Sequence, residues 1–183
     1  MPEWTEPRTW QPGELVRAAD LNAQLRDNVT VLAELGAVKA EVTGAGTRTS
    51  NEWGPLDDED GPTVRFRTGP GALVVVVLYA QGRTTVTGDA QRAYASYRIT
   101  RVDDGEDVVE PSLLRSLLWR SNLGSSASFV WLEQASDGLE ADVEYDLSME
   151  FLHTTAGQGE ADGGVQVSHR RVMAMLVRPP VSP

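Results

Sequence analysis

The sequence predicts a mainly β protein, in which an extended N-terminal arm and one amphipathic, coiled-coil-like helix precede an antiparallel β-sandwich or jelly roll. Between residues 18 and 35, apolar residues recur at the three- and four-residue spacing of a helix face. From residue 62 onward the period changes to two, in short segments separated by turn residues. No helical pattern alternates with these segments, which favours a sandwich over an α/β fold. We predict an arm at 1–17, a helix at 18–36, a linker at 37–61 and the sandwich at 62–183.

Composition and charge exclude several classes of function. The 183 residues carry a formal net charge of −11, which argues against a nucleic-acid partner because phosphates attract Lys and Arg. There is no cysteine, so disulfides, thiolate nucleophiles and Cys-ligated zinc are excluded. We expect no signal peptide, because the first residues lack a basic start and an apolar run. The apolar run at 72–80 is shorter than the ~20 residues of a membrane helix, so we predict no membrane insertion.

The first 17 residues predict an extended arm that docks on another surface. Pro2, Pro7 and Pro12 disfavour helix, and Trp4 and Trp10 stand between them. Tryptophan buries a large area and is enriched at binding hot spots. The alternative is that both rings fold back onto the chain's own helix.

The next segment predicts a helix with a self-association seam. Its apolar stripe averages 3.5 residues per turn, the spacing of a coiled coil, and consists of Ala18, Leu21, Leu25, Asn28, Leu32 and Leu35. A polar Asn28 on such a seam fixes register and strand number at some cost in stability. Gly36 is a helix stop signal. The alternative is a single helix packed on its own domain, since the repeat is shorter than most coiled coils.

The segment from Thr9 to Asn22, TWQPGELVRAADLN, with Leu25-Arg26-Asp27-Asn28 after it, resembles the N-terminal module of many tailed-bacteriophage virion proteins. Such proteins are usually called minor tail or fibre proteins. The resemblance covers about the first 35 residues and implies docking into the particle through Trp4, Trp10, Leu15 and Val16. It also implies residence in the virion after assembly in the host cytoplasm. Arg17 stands where the family usually has Thr at the helix N-cap. Losing the cap costs ~0.5–2 kcal/mol of helix stability if no other group replaces it.

The body reads as a series of strands. Residues 73–79 are β-branched and apolar on both faces, which predicts a central strand covered on both sides. The other predicted strands alternate or are short and apolar, and lie at 64–68, 92–102, 129–132, 143–151 and 172–177. Residues 112–120, SLLRSLLWR, fit either a helical face or an extended arm. The body resembles the small trimeric sandwiches of phage fibres and of the tumour-necrosis-factor type in strand count and in the closing strand at 169–173.

The sequence holds no recognisable catalytic, cofactor or metal constellation. His153 and His169 lie at predicted strand ends, where an exposed or capped side chain is the usual state. A Ser-His-Asp site using Ser125, Ser126 or Ser128 lacks a nucleophile-elbow pattern. The acidic run at 57–60 lacks the alternation of a calcium loop, and a solvated turn is favoured. We therefore predict no enzymatic activity, no cofactor and no metal.

The function predicted from the sequence is a virion structural protein that projects a trimeric sandwich, with itself and other virion proteins as partners. One alternative is a capsid decoration or head fibre protein, because docking on a tail and on a head use similar chemistry. Another is a receptor- or glycan-binding tip on the host surface. For that alternative the aromatic residues offer a stacking platform, namely Trp53, Trp119, Trp131, Tyr79, Tyr94 and Tyr97.

Overall fold

The computed structural model describes residues 37–57, 61–85, 91–120, 125–155 and 163–177. These residues form ten strands and two single turns of 3-10 helix, at Leu113–Arg115 and Ala135–Asp137. The strands are β1 (Val38–Val42), β2 (Gly46–Arg48), β3 (Thr63–Arg67), β4 (Leu73–Thr84), β5 (Gln91–Arg101), β6 (Asp107–Val109), β7 (Leu117–Trp119), β8 (Ser125–Glu133), β9 (Glu144–Thr155) and β10 (Val165–Val177). The predicted arm at 1–17 and helix at 18–36 lie outside the described residues.

The strands form two antiparallel sheets. Sheet A has the order β1-β10-β4-β8, with β2 pairing the other half of β10. Sheet B has the order β3-β9-β5-β6, with β7 also pairing β5. β1 and β2 both pair with β10, and β6 and β7 both pair with β5. When each of these two pairs is counted as one strand, the strand order of the two sheets is that of an eight-strand jelly roll. The prediction of a mainly β, antiparallel sandwich is confirmed.

The core lies between the two sheets and follows the period-two pattern of the sequence. Val74, Val76 and Leu78 of β4 are fully buried, and their neighbours in the strand are half-buried on the outer face. β9 supplies the opposing side chains, with Tyr145 to Phe151 buried at every second position. Each such side chain contributes about 1.5–3 kcal/mol relative to exposure. The predicted central strand is β4, which pairs with β10 and β8. It is covered by sheet B on one face only, and its outer face is half-buried.

The predicted linker at 37–61 is corrected by the structure. β1 and β2 lie within it and pair with β10, from Val38 opposite Ala174 to Gly46 opposite Val167. The sandwich therefore begins at residue 38 rather than at 62. β1 forms because Val38, Ala40 and Val42 occur at every second position and half-bury their side chains. The rest of the segment is rich in Gly, Thr and Ser.

The segment after β2 is held by Arg48. Its guanidinium donates to the carbonyl of Pro55 at 3.0 Å and to that of Glu52 at 2.9 Å. Asp57 accepts from the backbone N–H of Thr49 at 2.8 Å. Asp57 therefore stabilises the protein's own turn, and residues 58–60 of the acidic run lie outside the described residues.

Candidate functional site

Most of the large hydrophobic side chains that the described part of the chain exposes lie on β7, on β8 and on the turn before β7. Six of its seven exposed large hydrophobic residues lie between residues 113 and 132. β8 is the last strand of sheet A, and β7 borders the same side of sheet B. Trp119 of β7 donates its indole N–H to the carbonyl of Ser125 at 3.0 Å, which joins the two strands. We call this surface the β7–β8 flank and define it as Leu113, Leu114, Leu118, Val130, Trp131 and Leu132.

Strand β8 is apolar on both of its faces. Val130 and Leu132 lie opposite Val77 and Val75 of β4, on the outer face of sheet A, and are 62% and 49% exposed. Trp131 lies opposite Val76 and so points toward sheet B, yet it is still 40% exposed. β8 is the last strand of sheet A in the described residues, and the strand β7 spans only three residues.

The exposed indole is held in place by a ring on its own strand. Trp131 stacks on Phe129 with the ring centroids 5.6 Å apart and the planes at 8°. Stacked aromatic pairs contribute about 0.5–1.5 kcal/mol beyond their buried area. Trp131 is therefore presented to solvent as a fixed apolar surface.

The apolar surface continues across the outer face of sheet A. Met175, the seventh exposed hydrophobic residue, lies opposite Val75 of β4, and Val75 lies opposite Leu132 of β8. The three side chains form a row across β10, β4 and β8. This row extends the apolar surface from Leu132 to Met175, whereas Leu118 pairs with Tyr94 and lies on the outer face of sheet B.

β8 also lacks the features that normally protect the edge of a sheet. From Ser125 to Leu132 it contains no charged residue and no proline, and no register shift interrupts its pairing with β4. Charged residues, prolines and bulges are the usual means of preventing edge strands from pairing with other chains. In the described residues its other edge pairs with no strand. This edge is chemically open to association.

A buried polar cluster fixes the end of the flank. Glu133, the last residue of β8, is fully buried, and the Tyr97 hydroxyl donates to its Oε1. Arg115 donates to the same oxygen at 3.1 Å, and its guanidinium lies 5.8 Å from the centre of the Tyr97 ring. Burial raises the pKa of Glu133, which the Tyr97 and Arg115 donors oppose. Burial, together with the Glu133 hydrogen bond, also raises the pKa of Tyr97, so its hydroxyl stays protonated as a donor.

The same cluster makes the Leu113–Arg115 turn rigid. Ser96 of β5 donates its hydroxyl to the carbonyl of Arg115 at 2.6 Å and accepts from the N–H of Ser112 at 3.1 Å. Ser112 caps the turn by accepting from Leu114 N–H at 3.3 Å. Leu114, 87% exposed, is therefore held in water by a turn that is bonded to both sheets. The ambiguous stretch at 112–120 is neither a helix nor an extended arm, but this turn followed by β7.

The two histidines differ in their surroundings, since His153 is buried and His169 is exposed. His153 lies within β9 and is fully buried, so the predicted exposed or capped state is wrong for it. Burial lowers the pKa of His153, which keeps the imidazole neutral in the core. His169 is exposed, with a φ of 47° at the irregularity in β10. No group of three His, Cys, Asp or Glu in the described residues is arranged to hold a metal ion.

The predicted aromatic platform does not assemble. Trp119, Tyr94 and Tyr97 are buried, and Trp53 packs edge-on against Tyr94 with centroids 6.5 Å apart. A different polar surface lies on the outer face of sheet A. Tyr79 shares that face with a shallow cleft lined by Ala45, Gln81, Gly82, Arg83, Gln166 and Ser168.

The other residues predicted from the sequence to form sites lie outside the described part. These are the docking residues Trp4, Trp10, Leu15 and Val16 and the seam residues Ala18, Leu21, Leu25, Asn28, Leu32 and Leu35. Sequence reasoning missed the β7–β8 flank. The available signal was the run from Ser125 to Leu132, which has no charge and no polar alternation at its apolar end.

Comparison with known proteins shows the fold. No family model matches the chain, and no curated protein matches it. Among solved structures, a protein of the T13 IBDV viral particle superposes with a TM-score of 0.52 at 10% identity, over 77% of this chain and 31% of that one. A chain of the infectious bursal disease virus Gt strain gives a TM-score of 0.51 at 10% identity, over 76% and 33%. This chain thus spans about a third of the length of either.

These similarities support the jelly-roll assignment, a fold used by viral capsid and lectin domains. At 10% identity they indicate the fold only, and the function has to be argued from individual residues. In the described residues no helix is long and apolar enough to cross a membrane.

Proposed function

We propose that this protein is a structural component of a bacteriophage virion, of the minor tail or fibre type. The observation that carries the proposal is the order of its parts. A segment resembling the phage docking module, TWQPGELVRAADLN, directly precedes an eight-strand jelly roll that starts at residue 38. The jelly roll is shared with proteins of virus particles, and its edge strand β8 exposes apolar residues and carries no charge from Ser125 to Leu132.

In this proposal each part has a separate task. The arm at 1–17 inserts Trp4 and Trp10 into another virion protein, where large aromatic side chains serve as anchors. The helix at 18–36 associates with its copies through Leu25 and Leu32 to form a trimer. The sandwich projects outward from that attachment.

A specific observation favours one further role, binding of a host-surface glycan by the projected sandwich. Tyr79, Gln81 and Arg83 stand on one face of β4, and Arg83 donates to Gln166 Oε1 at 2.8 Å. An aromatic ring beside fixed amide and guanidinium groups is a suitable surface for a sugar. In the glycan role, Arg83→Ala abolishes retention on a glycan array or on host cells. Unchanged retention removes this role and leaves the structural one.

The test of the structural proposal is incorporation into particles. We expect the double variant Trp4→Ala and Trp10→Ala to fold and stay soluble but to be absent from purified virions, as measured by immunoblotting. The matched control is Glu3→Ala with Glu6→Ala, which changes the same arm without removing an anchor. Normal incorporation of the tryptophan variant contradicts the docking role. Imaging of labelled particles distinguishes a tail position from a capsid decoration or head fibre.

A further inference from the structure

We infer that the polar half of the outer face of sheet A binds an acidic carbohydrate, and that Arg83 receives a carboxylate of the sugar. The inference depends on the glycan role proposed above and names the class of sugar that fits this site. The polar half is the surface formed by Tyr79, Gln81, Arg83, Ser126, Ser128, Gln166 and Ser168. These residues lie on three neighbouring strands, β8, β4 and β10.

The outer face of sheet A changes character along β4. Up to Val77 its outward side chains are apolar, and from Tyr79 onward they are polar. The residues opposite them in β8 and β10 follow the same division, with Ser126 facing Gln81. The polar half spans about 13 Å along β4 and about 10 Å across the three strands, at ~3.3 Å per residue and ~4.8 Å between strands. Hydroxyl and amide groups over such an area can bind the hydroxyl groups of more than one sugar ring.

The polar half contains no carboxylate, although the chain carries 27 Asp and Glu residues. Where Glu41 of β1 reaches this face, Arg171 donates to it at 2.7 Å, so that this pair is neutral. The polar half therefore carries the positive charge of Arg83 within a chain of formal net charge −11. A local charge opposite in sign to the rest of the chain favours an anionic ligand at this place.

Arg83 is held in position without losing its charge. Within the described residues its partner is a neutral amide, because its Nε donates to Gln166 Oε1 at 2.8 Å and no carboxylate pairs with it. The same oxygen accepts from Nη2, which leaves Nη1 and one hydrogen of Nη2 as donors. These two nitrogens form the fork that binds a carboxylate through both of its oxygens.

Tyr79 lies at the other end of the polar half. Its hydroxyl donates to Ser126 Oγ at 3.2 Å, which fixes the ring on the outer face. An aromatic ring offers an apolar surface on which the apolar face of a sugar ring can pack. Because Tyr79 and Arg83 are four residues apart on one strand, a ligand that contacts both is an oligosaccharide rather than a single sugar.

The backbone of β10 is irregular beside this surface. His169 and Arg170 lie between Ser168 and Arg171, where β4 has only Ala80 between the opposing residues. His169 is exposed and has a φ of 47°, a conformation that L side chains rarely adopt. Bulges and strained residues are concentrated next to functional sites, where they redirect side chains. This bulge directly follows Ser168, which lines the cleft, and so supports a binding role for this end of the sheet.

The net charge of the chain limits which anions this surface can hold. A densely charged polymer such as dextran sulfate is repelled by the negative charge of the rest of the chain. Single carboxylates spaced along a saccharide meet less repulsion, because charges more than about 8 Å away are screened at physiological salt. Uronic and sialic acids within a mixed oligosaccharide have this spacing.

The first experiment measures retention of the purified full-length protein on an array of bacterial surface saccharides. Each member that bears uronic or sialic acid is printed beside the same saccharide with its carboxyl groups reduced to alcohols. We expect the protein to bind the acidic member of a pair about 10- to 100-fold more tightly, as a hydrogen bond to a charged group implies. Dextran sulfate is the control for nonspecific anion binding and should not be retained.

Two variants test the part played by Arg83, and a third is the matched control. Arg83→Gln removes the guanidinium and should abolish the preference for acidic saccharides. Gln166→Glu keeps Arg83 but pairs it with a carboxylate of the protein itself, so it should abolish the same preference without loss of stability. Arg67→Gln removes an equal charge from sheet B, in a cleft that contains three carboxylates, and should leave retention unchanged.

The outcomes separate this inference from the proposals made above. Equal retention of an acidic saccharide and its reduced counterpart overturns the assignment of an acidic sugar but leaves the glycan role in place. Unchanged preference in Gln166→Glu, or stronger retention of dextran sulfate, overturns the assignment in the same way. Retention of no saccharide overturns the glycan role as well. Because these measurements use no particles, the virion role is decided separately by incorporation.

Discussion

Removal of the Tyr97 hydroxyl should destabilise the protein, and more strongly at neutral than at acidic pH. Tyr97→Phe leaves Glu133 buried with Arg115 as its remaining side-chain donor. A hydrogen bond to a charged group contributes about 1.5–3 kcal/mol, against roughly 0.5–1.5 kcal/mol for a neutral pair. We therefore expect a loss of about 2 kcal/mol when Glu133 is ionised, and about 1 kcal/mol less when it is protonated.

The direction of the pH effect follows from the raised pKa of Glu133. Because burial raises this pKa in the folded state, the folded protein binds the proton more tightly than the unfolded chain does. The contribution of Glu133 to stability is most favourable below its unfolded pKa and is lost as the pH rises through its folded pKa. Tyr97 donates to the charged form and lowers the pKa, so Tyr97→Phe extends that loss to higher pH.

The assay is urea unfolding followed by tryptophan fluorescence, at pH 5 and pH 8 and at one protein concentration, because dissociation otherwise enters the measured stability. Glu133→Gln is the control, since it keeps the acceptor oxygen but cannot ionise. In the Glu133→Gln background, the cost of Tyr97→Phe should be small and independent of pH. Equal costs of Tyr97→Phe at both pH values in the wild-type background would refute the role assigned to the buried carboxylate.

Other predictions test the core, the close approach of the β4 backbone to the Trp119 ring and the domain boundary. Leu78→Ala, at a fully buried position, should cost about 2–5 kcal/mol of unfolding free energy in thermal or urea unfolding; a cost below 1 kcal/mol would contradict its place in the core. Gly82→Ala should cost about 1–3 kcal/mol, since a Cβ there lies 2.8 Å from the Trp119 ring, whereas Gly69→Ala meets nothing within 4 Å and should be near neutral. Removal of residues 1–36 should leave a cooperatively unfolding body, because residues 37–183 form a compact unit. Removal of 1–61 also deletes β1 and β2 and should give insoluble protein, and a soluble, cooperative product would restore the boundary at 62.

The sequence predicts most of the body because its strands follow simple periodicity. Leu73–Tyr79 is apolar on both faces and becomes the centre of sheet A, and the alternation from Val143 to Phe151 becomes β9. The same alternation continues to His153, whose burial a stricter reading of the register would have predicted.

The missed elements are those in which local composition and tertiary contacts disagree. Val38 and Val42 indicate a strand start, but nothing local indicates that this strand pairs with β10, which follows it by more than a hundred residues. Leu113 to Leu118 has helical spacing, but Ser96 and Glu133 bind the turn from two different sheets and prevent a helix. The exposure of β8 depends on its position as the last strand of sheet A, a property of the assembled sandwich rather than of any one segment.

The central position of β10 has a consequence for synthesis of the protein. β10 separates β1 from β4 in sheet A, so a nascent chain cannot close this sheet until its last strand has left the ribosome. Pairing across such sequence separations is slow, on the order of milliseconds to seconds for all-β folds. During that interval the unprotected edge of β8 is exposed to neighbouring chains on the same message. Two nascent chains that meet during this interval can assemble correctly, but they can also aggregate through the exposed edge of β8.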